Sequence, residues 1–337
     1  MCVKSCKSAI VSLICGAKVS KAKLVNTTCV QIIGSKSKVV YRVVVVLMAL
    51  FCLVAIAIKL SDSNSLLSVA SGISGRSGAL FLLLNILLML LNFLLEALRW
   101  QVLLKSVTDA SFFDCLKATF AASAFGSFTP ARAGEHFART LYGKATNAQK
   151  VTLSLLASAM MSAVIATGFV ISMVLSPIMF VSSANSAVLV VCLFAVVVAG
   201  WVAVLKSRMV RREILLIKRL ICNDIRRFSK AFAVTTVRYS VFSLQMLCCL
   251  CFLDDGADVL ALLTRLPVYY FLITFIPSFF IADLGIKGGA AALVFAPCAS
   301  LPAIALAVLV VWLVNTALPA IVGSVLALIH VTKTVKI

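Results

Sequence analysis

Three groups of polar side chains interrupt a chain that is otherwise mostly hydrocarbon. The first is Asn85, Asn92, Glu96 and Arg99, spaced seven, four and three residues apart. On an α-helix these offsets fall on one face. An ionisable group inside a lipid-buried helix costs about 2.5–3.5 kcal/mol on insertion scales, so it ordinarily faces a protein interior and marks a function. Arg99 has a second reading, because beside Trp100 it can snorkel to the interface with Glu96 as its partner. Asn92 and Glu96 lie deeper in the run and predict an internal polar surface.

The second group lies in Phe125–Arg139, FGSFTPARAGEHFAR, where Gly126, Pro130 and Gly134 break a helical pattern. A helix starting at Pro130 puts Arg132, Glu135 and Arg139 on one face. Unpaired N–H groups at such a start, with two guanidinium forks, suit an oxyanion such as phosphate. The alternative is a Glu135–Arg139 pair that only holds a loop. The third group, PSFFIADLGIKGGAAA from Pro277 to Ala292, repeats the makeup of proline, acid, glycine and base, and its Asp283 and Lys287 stand four apart and can pair. Interrupted segments in corresponding places of two halves point to a midplane site built on a repeat. Arg238 and Gln245, seven apart, offer a further polar face.

The elements that position these groups are membrane helices. Hydrophobic residues make up 63% of the 337 positions and charged residues 12%, with a mean hydropathy of +1.14. A soluble domain is roughly 45–50% apolar and about 25% charged. A crossing needs about 20 apolar residues. Runs of that kind fall at 43–60, 79–98, 151–175, 187–205, 232–253, 259–281 and 303–329. The shorter 285–300 and the weakly apolar 108–128 read as partial or re-entrant segments. The expected fold is therefore all-α, a polytopic bundle of about eight spans with one or two re-entrant or broken segments.

The net charge of +20 follows the loops. Residues 1–61 carry nine Lys/Arg and no acid, 99–150 carry seven Lys/Arg and 206–238 carry ten, whereas 176–186 are uncharged and 254–258 offer only aspartates. Alternation of this kind places both termini in the cytoplasm of a cell-membrane protein. It also excludes nucleic acid as the partner, since the basic residues sit between apolar runs and not on a soluble module. Residues 1–38 read as a basic cytoplasmic extension, 39–330 as the transmembrane domain and 331–337 as a cytoplasmic tail. Within 206–230, Val210, Ile214, Ile217, Ile221, Ile225 and Phe228 form an apolar stripe with arginines and lysines off it, the pattern of a helix along an anionic leaflet. The only histidines are His136 and His330, and the one CxxC spacing, Cys248–Cys251, falls inside a span, so neither a metal nor a cofactor is expected.

Three motifs in order, Glu96-x-x-Arg99-Trp100, Pro130-x-Arg132-x-Gly134-Glu135-x-x-x-Arg139 and Asp283-Leu284-Gly285-Ile286-Lys287-Gly288, resemble the flippase-like family of lysylphosphatidylglycerol synthase transmembrane regions over roughly 43–329. The late motif departs from the commoner Gly-x-Arg-Glu form, with Lys287 for Arg and Gly288 for Glu. The resemblance implies a bundle that moves a polar or aminoacylated phospholipid, or a lipid-linked molecule, between leaflets. It does not imply synthesis, because aminoacyl transfer in two-part members resides in a separate soluble domain.

The leading expectation is lipid translocation without catalytic residues. Arg132, Arg139 and Lys287 contact a headgroup phosphate, Glu96 or Glu135 balances charge or contacts a cationic group, and Asn92, Arg99 and Asp283 complete the headgroup-binding set. Membrane lipids are the partners, with a homo-oligomer or a separate lipid-modifying enzyme as further possibilities. The alternatives are a membrane-embedded enzyme on a lipid-linked substrate, or a scaffold that transports nothing.

Overall fold

The structure, a computed structural model, describes residues 75–129, 132–175, 224–276 and 280–335. The expected spans at 43–60 and 187–205, the 1–38 extension, the 206–223 part of the amphipathic stripe, and Pro130 and Pro277 lie outside the described residues.

The described chain is helical throughout. In order it forms α1 (Arg76–Leu104), α2 (Phe112–Phe128), α3 (Ala133–Ala138) with a 3₁₀ turn (Arg139–Leu141), α4 (Asn147–Leu175), α5 (Ile225–Leu253), α6 (Val259–Phe275), α7 (Phe280–Phe295), α8 (Leu301–Trp312), a π-turn (Leu313–Ala317) and α9 (Leu318–Val335). Helices α1, α4, α5 and the continuous α8–α9 rod are long and apolar enough to cross a bilayer. This is a helical membrane bundle.

Helix α1 has the inverted polarity of a membrane helix. Leu80, Leu83, Leu87, Leu90 and Leu94 are exposed, while Asn85, Asn92, Glu96 and Arg99 are buried. Helix α5 packs antiparallel along that polar face. As positions rise on α1 they fall on α5: Asn85 meets Gln245, Asn92 meets Arg238, Arg99 meets Thr235, and the Lys105 carbonyl accepts from Arg227. Two apolar clusters flank this polar seam. One gathers Phe81, Met246 and Leu250 with α6–α8, and the other gathers Trp100, Phe228 and Ala231 with α2, α4 and α9.

Lipid tails are as apolar as leucine, so close backbone approach and not hydrophobicity joins such helices. The α2–α9 contact shows this: Ala118, Ala121, Ala122 and Ala124 are buried on α2. A Cβ at Gly323 would overlap the Phe120 carbonyl.

Two boundaries differ from the sequence expectation. The 259–281 run is not one span, because α6 ends at Phe275 and Ile276 is extended (φ −88, ψ 109) before α7 begins. Ile276 precedes Pro277, and proline drives the preceding residue out of the α region. The segment expected at 285–300 accordingly starts at Phe280. Farther on, Ile225–Lys230 is the first part of α5 and not a separate surface helix, with Phe228 buried and Arg227 held by Asp224 at 3.1 Å. Asp224 caps that helix by accepting from the Arg227 N–H, which lets α5 begin a turn or more before the apolar run.

A buried arginine cluster as the candidate functional site

Glu96 stands eight residues from the end of α1, about 12 Å along the axis at 1.5 Å per residue. Its carboxylate is the hub of an ion network. Arg99, one turn later, approaches at 2.6 Å. Arg238 on α5 donates to it at 2.8 Å and to Asn92 Oδ1 at 2.7 Å. Arg139 Nη2 donates to Glu96 Oε1 and also, at 2.9 Å, to Glu135 Oε1. Arg132 reaches the same Glu135 carboxylate at 3.4 Å. Four guanidinium groups thus face two carboxylates, a surplus of two positive charges.

The cluster runs from interior to surface. Glu96, Arg99 and Arg139 are buried, Glu135 and Arg238 are half-buried, and the Arg132 side chain is 49% exposed. Arg99 is further held by the Ala157 carbonyl on α4 at 2.9 Å and faces Thr235 on α5 at 3.5 Å. Its guanidinium points inward, which overturns the snorkelling reading. Helix α5 supplies partners in the interior, and a buried arginine that can reach a carboxylate has no reason to leave it.

Arg139 has the most donor capacity to spare, two atoms against the one, Nε, of Arg99. It is 1% exposed, its guanidinium carbon lies 4.8 Å over the Trp100 ring, and Nη2 alone makes both carboxylate bonds. Its Nε and Nη1 are buried without a hydrogen-bond partner. Buried donors without acceptors are costly, so such groups call for an explanation.

Local folding here departs from the expectation of a helix starting at Pro130. Helix α3 begins at Ala133, and Arg132 precedes it with φ 55, the left-handed region that L-residues seldom adopt. Arg132 and Arg139 therefore converge on Glu135 and do not project as two free forks. The helix is six residues long, and its Gly134 N–H already donates to Thr129 Oγ1 at 2.7 Å. Among the described residues, one N–H at this helix start is thus already taken. Gly134 is required by space, since a Cβ there would stand 2.5 Å from the Phe125 carbonyl oxygen.

Asp283 and Lys287 are paired at 2.6 Å on α7, in the part of the bundle formed by α6–α8. Among the described residues, no ion pair joins them to Glu96, Glu135 or the four arginines. Asn85, placed on the Glu96 face by periodicity, instead joins a neutral cluster in which Gln245 donates to the Asn85 carbonyl at 3.1 Å and Asn315 donates to Gln245 at 2.7 Å. Arg238 is the residue whose place at the hub sequence reasoning missed. Its seven-residue spacing from Gln245 marked an inward face, but only packing showed that Glu96 lies opposite.

The family model for the lysylphosphatidylglycerol synthase transmembrane region matches residues 39–323. The chain belongs to that family. It is a membrane protein of this lipid-related family, and the arginine cluster lies wholly within the matched residues. No curated protein matches the chain.

Proposed function

We propose that this member of the family moves a phosphate-bearing lipid between leaflets, with the arginine cluster taking over the headgroup's hydrogen bonds as it leaves water. The observation that carries this reading is Arg139, buried inside a membrane bundle with Nε and Nη1 unsatisfied and a net surplus of positive charge around it. A phosphate oxyanion supplies the missing acceptors, and charge-assisted bonds to guanidinium are among the stronger ones available. Glu96 and Glu135 keep the arginines apart and charged. Arg132, at the exposed end, receives the headgroup first. The protein sits in the cell membrane with both termini on the cytoplasmic side, by the distribution of basic loops.

The test is reconstitution in liposomes with labelled phospholipids. Transbilayer movement should appear with the native chain and fall in Arg139→Ala. Covalent turnover of lipid-linked substrates without movement would place the family member among enzymes instead.

A further inference from the structure

A second polar centre lies inside the bundle, apart from the arginines. Asn85 on α1, Gln245 on α5 and Asn315 in the π-turn form a chain of amides. Asn85 and Gln245 are fully buried, and Asn85 stands seven residues before Asn92, about 10 Å along the helix axis. We propose that this centre binds a dehydrated monovalent alkali cation. The site stands whether or not the chain moves lipid.

Hydrogen-bond direction shows which atom is spare. Asn85 Nδ2 donates to the Phe81 carbonyl at 3.0 Å, and Gln245 Nε2 donates to the Asn85 carbonyl at 3.1 Å. Gln245 Oε1 therefore faces Asn315, whose Nδ2 donates to it at 2.7 Å. That leaves Asn315 Oδ1 turned away, buried and without a hydrogen-bond partner among the described residues. Exchanging O and N in any one of the three amides would bring two acceptors together, because the chain ends on backbone carbonyls.

The neighbouring backbone is short of donors for a reason written in the sequence. Pro319 has no N–H to give the Asn315 carbonyl four residues before it, and its ring crowds that carbonyl. The Leu318 N–H bonds to Leu313, five residues back, in place of Val314. The π-turn thus takes the ordinary helical donors away from the Val314 and Asn315 carbonyls, beside the spare amide oxygen.

These are oxygen dipoles without formal charge. Carbonyl and amide oxygens of this kind can replace the hydration shell of a monovalent ion, whereas calcium and magnesium are ordinarily held with carboxylates. Among the described residues no group of three or more His, Cys, Asp or Glu could hold a metal ion. The arginine surplus opposes a cation across about 10 Å, so binding on the order of millimolar is expected.

The experiment is thermal unfolding of the full chain in detergent, titrated with sodium, potassium or choline chloride at constant ionic strength, which cancels screening. A ligand that binds the folded chain raises the unfolding temperature by mass action. The temperature should rise and saturate with at least one of the two alkali ions and stay flat in choline. Asn315→Leu, which nearly keeps the volume and removes the amide oxygen, should raise the half-saturating concentration about tenfold or more, the scale of one contact to a charged group. Pro319→Ala supplies the missing N–H and leaves the amide chain intact, so it should weaken the response in a protein that still folds. No difference between the alkali ions and choline overturns the proposal and leaves water as the partner of the amide oxygen. An alkali response that either variant retains in full overturns it as well, by placing the ion elsewhere.

Discussion

Two interrupted helix pairs in this molecule begin from the same local plan and end in different circumstances. In α2–α3 an acid and a base four residues apart, Glu135 and Arg139, follow a break and pair at 2.9 Å. In α6–α7 the acid and base are Asp283 and Lys287, again four apart after a break, and pair at 2.6 Å. The first pair is drawn into a larger network because α1 and α5 bring Glu96 and Arg238 against it. The second pairs along α7, and none of the described ion pairs joins it to the arginine cluster. The same short-range chemistry therefore enters the arginine centre or stands apart from it according to which long helix packs beside it.

Removing the hub should have the largest effect. Glu96→Gln leaves Arg99, Arg139 and Arg238 facing one another with one shared carboxylate fewer, and loss of one partner in a buried charge network costs about 3–5 kcal/mol. Asp283→Asn, which faces the ammonium of Lys287 where Glu96 faces three guanidinium groups, should cost less. Thermal unfolding in detergent compares them. Equal losses would mean that the number of guanidinium partners does not distinguish the two regions.

Function should separate them next. Arg139→Ala should lower liposome lipid movement about tenfold to a hundredfold, the range of one charge-assisted contact. Lys287→Ala should stay within about fivefold of the native chain, as for a pair outside the arginine cluster. Arg139→Lys should recover only part, since an ammonium keeps the charge without the planar fork. A Lys287 effect as large as that of Arg139 would place the second pair in the transport route.

A steric change sharpens the same contrast without touching charge. Gly134→Ala puts a Cβ against the Phe125 carbonyl and, at 2.8 Å, Thr129 Oγ1. Overpacking of this kind costs about 1–3 kcal/mol, and it should displace Arg139 along with α3. A parallel fall in stability and transport is expected, with stability read by unfolding in detergent.

The smallest effect belongs to Asp254, in the loop joining α5 to α6. The Ser300 backbone N–H, donating at 2.6 Å, holds its carboxyl below the usual value of 3.8. A depressed carboxylate stabilises the fold fully above that ordinary value and loses the contribution as pH falls through its lowered one. Asp254→Asn should therefore lower stability slightly at neutral pH and flatten the profile below about pH 4, where the variant and the native chain converge. Unfolding followed across pH 2.5–6 in buffered detergent reads this shift, expected to be modest because the loop is solvated.

Much of this arrangement is legible in the residues alone, and the rest divides along a physical line. Periodicity placed Asn92 and Glu96 on an inward face of α1, because a helix in lipid must turn its few polar groups towards protein. The break at Ile276 was missed by the 259–281 run, although Pro277 carries a local signal for it, because proline constrains the adjacent residue. Spacing also foresaw both acid–base pairs, Glu135–Arg139 and Asp283–Lys287, since neighbours four apart on a helix always meet.

What the sequence could not decide lies at long range. Glu96 and Arg238 are 142 residues apart, and nothing local states that α5 lies antiparallel to α1 in the register that joins them. The inward turn of Arg99, the left-handed Arg132 and the diversion of Asn85 to Gln245 also depend on neighbouring helices. Local composition determined which residues are polar and which way they face. The tertiary packing decided which of them share a charge, because that depends on distances between segments remote along the chain.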